Sequence, residues 1–254
     1  MRIRVLGAAG GELPGQGSTS FLVDGTLAVD AGALTSRLGL DELDRVDHVL
    51  VTHAHLDHVK DVPQLADLMV GRRRSPVTVH APRGAASTLR RCVFNGKLWP
   101  DFTRIPSASR PVLRIVPFRF GVPFRAGPFE VTGVKVSHSV ETAGFLVRRG
   151  RSAFAISGDT GPTAAFWREV SRAPGLRALL VEVSFPSRMQ ALADRTGHLT
   201  PRTLAGELAK LERDGVPVYL YHLKPAFRAE LRAELAALGL RDATVLDGGE
   251  TIAA

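Results

Sequence analysis

Cysteine is almost missing. The 254-residue chain has a single one, Cys92, so no internal disulfide can form and stability must come from a packed core. No apolar run reaches the 18 residues of a membrane-spanning helix, so no membrane partner is expected. Met1-Arg2-Ile3-Arg4-Val5-Leu6-Gly7 alternates like a strand and lacks the long apolar stretch and cleavage site of a secretory signal, which points to the cytoplasm. Glycine and proline are scattered rather than clustered, so no linker stands out and one domain over 1–254 is expected. The Gly-rich piece from Gly7 to Gly17 has neither a GKS/GKT ending nor GxGxxG, and reads as a hairpin connection rather than a phosphate cradle. Lysine is scarce. Only five of the 33 basic residues are Lys, and the arginines are spread along the chain. The net charge of +8 therefore reads as compositional bias more than a binding stripe, with Arg72-Arg73-Arg74 the sole tight cluster. A nucleic-acid partner stays open but is not favoured, while the positive field suits a phosphate-bearing substrate.

What the chain does have is a dense knot of imidazoles: Thr52-His53-Ala54-His55-Leu56-Asp57-His58. The apolar run before it reads as a strand, and Asp61 to Val70 has helical spacing with Pro63 near its start. The motif thus lies on a strand-to-helix turn. In an extended segment residues i and i+2 share a face, so His53 and His55 can grip one cation, and the tightening chain aims Asp57 and His58 towards a second. Imidazole and carboxylate are the donors preferred by zinc and similar borderline ions.

Three more candidates end apolar runs in the same way: His138 after Val131 to Ser137, Asp159 after Phe154 to Gly158, and His222 after Val218 to Tyr221. Chemistry at one edge of a sheet's strands is the common arrangement in open sheets. Counting His198, six of the eight histidines fall in such motifs, whereas His48 and His80 read as structural. In Gly197-His198-Leu199-Thr200-Pro201, His198 precedes a helix capped by Thr200 and opened by Pro201. Glu182, ending a buried run, is the carboxylate that could keep His198 protonated as a general acid. Strands are expected over 2–6, 19–24, 26–30, 76–81, 112–117, 129–137, 142–148, 152–157, 177–183, 216–221 and near 243–252. Helices are expected over 61–70, 83–93, 162–173, 201–212 and 226–238.

The HxHxDH motif resembles the signature of the metallo-β-lactamase-fold hydrolases. With Leu56 inside it, the His198 and Glu182 pair, and Tyr221-His222-Leu223-Lys224-Pro225, the chain is most similar to the class II cyclic-nucleotide phosphodiesterases. The resemblance implies an α/β, four-layer αββα sandwich of two mixed sheets with helices outside. It implies two divalent ions per chain, zinc by preference with manganese or iron admissible. One would be held by His53, His55 and His138, the other by Asp57, His58 and His222, with Asp159 between them. A hydroxide generated at that dinuclear centre, oriented by Asp57, would open 3′,5′-cyclic AMP or GMP to the 5′-nucleotide. The irregular Phe94 to Phe102 loop offers Asn95 and Trp99 as contacts to a nucleobase, and Lys224 one to phosphate. The resemblance also implies pairing as a homodimer. The alternatives are a tRNA 3′-processing endonuclease of the ribonuclease Z type, or another hydrolase on this fold.

Overall fold

The computed structural model describes residues 1–240 and 242–254. Period-two burial organises it. In β1 (Arg2–Gly7), Ile3 and Val5 enter one core while Leu6 enters another; in β2 (Ser20–Val23), Phe21 and Val23 are separated from Leu22 in the same way. A strand whose side chains are buried on both faces must lie between two layers. The first sheet continues with β3 (Leu27–Val29), β4 (His48–Leu50) and β5 (Val77–Ala81). A small ribbon, β6 (Pro106–Ser107) with β7 (Arg110–Pro111), precedes its edge strand β8 (Leu113–Pro117). The second sheet comprises β9 (Phe124–Ala126), β10 (Phe129–Lys135), β11 (Ala143–Arg149), β12 (Ser152–Ile156), β13 (Leu176–Glu182), β14 (Val218–Tyr221) and β15 (Ala243–Val245). Finally β16 (Thr251–Ala253) returns to pair with β1.

Both sheets are mixed. The first runs antiparallel from β16 to β3 and parallel from β3 to β8. The second runs antiparallel from β9 to β12 and parallel from β12 to β15. Between them lies a shared core that includes Phe21, Phe129, Phe145, Phe154 and Tyr221. Helices α1 (Leu34–Arg37), α2 (Leu40–Leu43), α3 (Leu56–Val59), α4 (Asp61–Leu68) and α5 (Arg83–Thr88) add residues to the core outside the first sheet. On the far side, α6 (Ala165–Arg172) packs outside the second sheet; α7 (Gln190–Thr196) follows, then α8 (Pro201–Leu208) and α9 (Arg228–Ala237), which also pack there. The order is helix, sheet, sheet, helix, as the family resemblance implied.

Local differences from the expected elements have local causes. The helix expected over 83–93 is α-helical to Thr88 and widens to a π-turn over Leu89–Val93, closed by the Phe94 amide on the Leu89 carbonyl. The helix expected from 162 begins at Ala165, and ahead of it the Thr163 amide donates to the Glu207 carboxylate. Thr200 does cap α8, accepting from the Thr203 amide, with Pro201 behind it, but α8 ends at Leu208 rather than 212. Helix α7 was invisible in the sequence: only Ala193 in it is buried, so no apolar stripe marks it.

Candidate metal centre

The parallel strands of both sheets deliver their C-terminal ends to one edge. His53 follows β4, Asp159 follows β12, Glu182 ends β13 and His222 follows β14. His138 follows β10, which lies two antiparallel steps from β12 and so ends at the same edge. Three turns then fix the approach. Gly158 (φ +64) turns the chain into Asp159, and Gly197 (φ +70) ends α7 so closely against His138 that a Cβ would lie 2.6 Å from its Cα. His222 itself takes the left-handed conformation (φ +70).

All seven expected ligands meet. His53, His55 and His138 form one group, Asp57, His58 and His222 a second, and Asp159 adjoins His53 and His58; within each group the facing donor atoms lie within 4.8 Å. Asp159 Oδ2 is 3.2 Å from His222 Nε2, 3.3 Å from His58 Nε2 and 3.8 Å from His53 Nε2. That is the central position expected of a carboxylate serving two ions. Asp57 Oδ2 is 3.4 Å from His222 Nε2, and His138 Nε2 is 3.4 Å from His55 Nδ1. His53, His58, Asp159 and His222 are buried, whereas His55, Asp57 and His138 are half-buried on the open side.

The outer ring nitrogens are anchored. His138 Nδ1 meets the Gly197 carbonyl at 2.8 Å, His53 Nδ1 the Thr52 hydroxyl at 3.0 Å, His58 Nδ1 the Asp30 carboxylate at 2.7 Å, and His222 Nδ1 the Ser184 hydroxyl at 2.8 Å. A proton on Nδ1 leaves a lone pair on Nε2 facing the centre, which is how protein surroundings select a metal-binding tautomer. Two atoms of the cluster, His53 Nε2 and Asp159 Oδ1, are buried without any hydrogen-bond partner. Buried polar atoms are rarely left so, and a bound cation would satisfy a bare imidazole nitrogen and a carboxylate oxygen. The donor set and the orphaned atoms therefore fit divalent metal.

Electrostatics tie the cluster to its carboxylates: burial lowers the pKa of His58, but Asp159 and Asp30 raise it well above its ordinary value. Burial opposes the charge on Asp159, yet His222 and His58 hold its carboxyl well below the usual carboxylate range. Burial, with neighbouring His58, pushes His53 well below the ordinary histidine value, so it offers a neutral ring. His198 Nδ1 is 2.9 Å from Glu182 Oε1; burial alone would lower the pKa of His198, but the Glu182 charge and hydrogen bond raise it above its ordinary value. Glu182 Oε1 also accepts from the Thr160 and Leu199 amides. The His198 ring stacks on His222 at 5.6 Å, beside the cluster.

Of the expected substrate contacts, only Lys224 adjoins the cluster, its Nζ 3.8 Å from Asp57 Oδ2. Asn95 is occupied within its own loop: its amide donates to the Arg91 and Cys92 carbonyls and accepts from the Lys97 and Leu98 amides. Trp99 packs against the core outside the first sheet. Both residues thus have structural work in their loop. Sequence reading missed Asp30, Thr52, Ser184 and Gly10. Asp30 carried a signal, an acid ending the apolar run Leu27-Ala28-Val29, as Asp159 does. Ser184 carried a weaker one, lying two residues after Glu182.

A profile of the beta-lactamase superfamily domain matches residues 19–222. The chain belongs to the beta-lactamase superfamily. A Yersinia pestis protein named probable 3′,5′-cyclic-nucleotide phosphodiesterase is 30% identical over 249 residues, covering 87% of this chain and 69% of that protein. A ribonuclease Z of Bradyrhizobium sp. (strain ORS 278) is 33% identical over 124 residues, covering 48% of this chain and 38% of that protein. The crystal structure of unliganded yeast PDE1 superposes with a TM-score of 0.81 at 21% identity, covering 98% of each chain. At that identity the likeness shows the fold, which is the metallo-β-lactamase sandwich. Membership of this fold implies divalent metal, and the His and Asp clusters could hold it. No helix among the described residues is long and apolar enough to cross a membrane.

Proposed function

We propose that this chain is a phosphodiesterase that opens 3′,5′-cyclic nucleotides to 5′-nucleotides. The observation that carries the reading is the buried Glu182–His198 pair standing against the metal-facing cluster. A β-lactam or thioester hydrolase could use the seven ligands, but it would leave this pair without a task. The phosphodiesterase name of the Yersinia relative supports the same choice.

In this reading His53, His55 and His138 hold one ion, Asp57, His58 and His222 the other, and Asp159 serves both. Zinc suits the nitrogen-rich donor set best, and manganese or iron could also bind. Bound ions would supply Lewis-acid polarisation of a phosphoryl oxygen and a nucleophile at neutral pH. The residues do the rest. Asp57, half-buried at the open side, orients the attacking water through its carboxylate. Lys224, beside it, meets the phosphate charge. With Nδ1 engaged by Glu182, His198 has Nε2 free to give a proton to the departing 3′-oxygen. The P–O3′ bond breaks, the water oxygen joins phosphorus, and O3′ takes the proton to become the ribose 3′-hydroxyl, with the phosphate still held through O5′. Glu182 stabilises the imidazolium before transfer, and its buried charge is in turn held by two backbone amides.

The ribonuclease Z match keeps a second reading in view, since hydrolysis of an RNA phosphodiester could use the same pair. One panel separates them: cyclic AMP, cyclic GMP, precursor tRNA and a β-lactam, each with and without chelator. Chelator-sensitive release of 5′-nucleotide from a cyclic nucleotide is expected. Cleavage of precursor tRNA alone would replace the reading with the second, and turnover of the β-lactam alone would end both.

A further inference from the structure

Ser184 lies two residues beyond Glu182 and is completely buried, with no direct place among the seven ligands. Its hydroxyl nevertheless touches three of the groups that matter. It is 2.8 Å from Glu182 Oε2, 2.8 Å from His222 Nδ1 and 3.1 Å from His198 Nδ1. A hydroxyl has one proton to give and two lone pairs to accept with. Glu182, already accepting from two backbone amides, is a carboxylate, so the Ser184 proton goes to Oε2. The oxygen must then accept, and the His222 Nδ1–H at 2.8 Å is the donor in reach. His198 Nδ1–H turns chiefly to Glu182 Oε1 at 2.9 Å and shares its remaining attraction with Ser184. With its proton fixed on Nδ1, His222 presents a bare Nε2 towards Asp57, His58 and Asp159.

The backbone holds the hydroxyl in place. The Ser184 amide donates to the Leu199 carbonyl, next to His198, and its carbonyl accepts from the Lys224 amide, two residues after His222. The arrangement has a counterpart on the other side of the centre. There the Thr52 hydroxyl is 2.9 Å from the Asp30 carboxylate and 3.0 Å from His53 Nδ1. In both places a buried hydroxyl stands between a buried carboxylate and a metal-facing imidazole.

We propose that Ser184 is a positioning residue: its hydroxyl fixes the tautomer of His222 and ties the second ion subsite to the Glu182–His198 pair. The inference rests on the metal-binding reading of the cluster but not on any particular substrate. Its test is metal affinity. Titrate wild type, Ser184→Ala and Ser184→Thr with zinc against a competing chelator, and record nitrogen-15 imidazole spectra of the wild-type zinc form. Ser184→Ala should weaken the second zinc by about 10- to 100-fold, the usual effect of losing an outer partner of a metal ligand. The first zinc should stay near the wild-type value. Ser184→Thr, which keeps the hydroxyl, should restore the second zinc, and the His222 signal should show its proton on Nδ1. Equal affinities in Ser184→Ala and wild type, or a His222 proton on Nε2, would overturn the role of Ser184. If Ser184→Ala does not fold, Ser184→Cys, which loses the strong hydroxyl at nearly the same volume, takes its place in the same titration with the same expected weakening. A wild type that bound no zinc would instead overturn the metal reading, and this inference with it.

Discussion

At the scale of the residue, His198 and Glu182 make the chemistry testable. A general acid matters in proportion to how badly the leaving group needs a proton. A 3′-alkoxide needs one; a p-nitrophenolate does not. His198→Ala should lower kcat for a cyclic nucleotide by about 10²- to 10⁴-fold. The same variant should change kcat for a p-nitrophenyl phosphodiester far less. Equal losses on both substrates would mean that His198 shapes the site rather than donating. The seven candidate ligands were legible from two local patterns: the HxHxDH motif for His53, His55, Asp57 and His58, and an apolar run ending in a metal-binding side chain for His138, Asp159 and His222. The partners behind them were not. Ser184 matters only because β13 pairs with β14 in a register that sets Glu182 opposite Tyr221, bringing His222 alongside. No local pattern carries that register. Asn95 has a local task of its own. An irregular loop with aromatics invites a ligand, yet one side chain making four bonds to its own backbone explains the irregularity.

Elements set the precision of the site, and the Gly-rich turn between β1 and β2 shows how. Its reading as a hairpin connection holds, but the turn also clasps the end of β14. The His222 amide donates to the Ala8 carbonyl, and the Gly10 amide to the Leu223 carbonyl. A Cβ on Gly10 would lie 2.6 Å from the His222 carbonyl oxygen and 2.7 Å from its Nδ1. Gly10→Ala should therefore cost about 1–3 kcal/mol in denaturant unfolding, the usual range for overpacking, and loosen one ion in elemental analysis. Gly206→Ala is the control. That glycine lies within α8 with open space where its Cβ would go, so helix propensity should raise stability by about 1 kcal/mol.

A second cross-element contact governs acid stability. His80 on β5 meets His48 on β4 at 3.1 Å and stacks on Phe124 of β9 in the other sheet. Burial, then the neighbouring His48, lowers the His80 pKa to about 4. The folded protein thus keeps His80 neutral where the unfolded chain would protonate it. The unfolded state binds more protons, so stability is intact above the ordinary value of 6.5 and falls as pH drops from there towards 4. The loss is on the order of 3 kcal/mol. His80→Gln should flatten the Tm profile across that window, and a profile as steep as wild type would assign the acid sensitivity elsewhere.

The whole molecule contributes its field. A net charge of +8 draws in any phosphate, so binding alone cannot tell a cyclic nucleotide from RNA. Salt dependence can, because it counts the phosphates engaged. A cyclic nucleotide brings a single phosphate charge, and its kcat/KM should fall only gently, with a log–log slope no steeper than about −1. A precursor tRNA clamped through six to ten phosphates would lose about 10³- to 10⁵-fold between 50 and 200 mM salt. The spread of arginine along this chain, with Arg72 and Arg73 already bonded to Asp44 and Asp47, favours the shallow case. Those guanidiniums are neutralised within the fold and are poor candidates for a polyanion track. Measuring kcat/KM against salt for both substrates on one preparation reads the substrate class from its slope, whatever the absolute rates. A steep slope with RNA, paired with rapid cleavage, would move the assignment to the nuclease side even if cyclic nucleotides were also turned over.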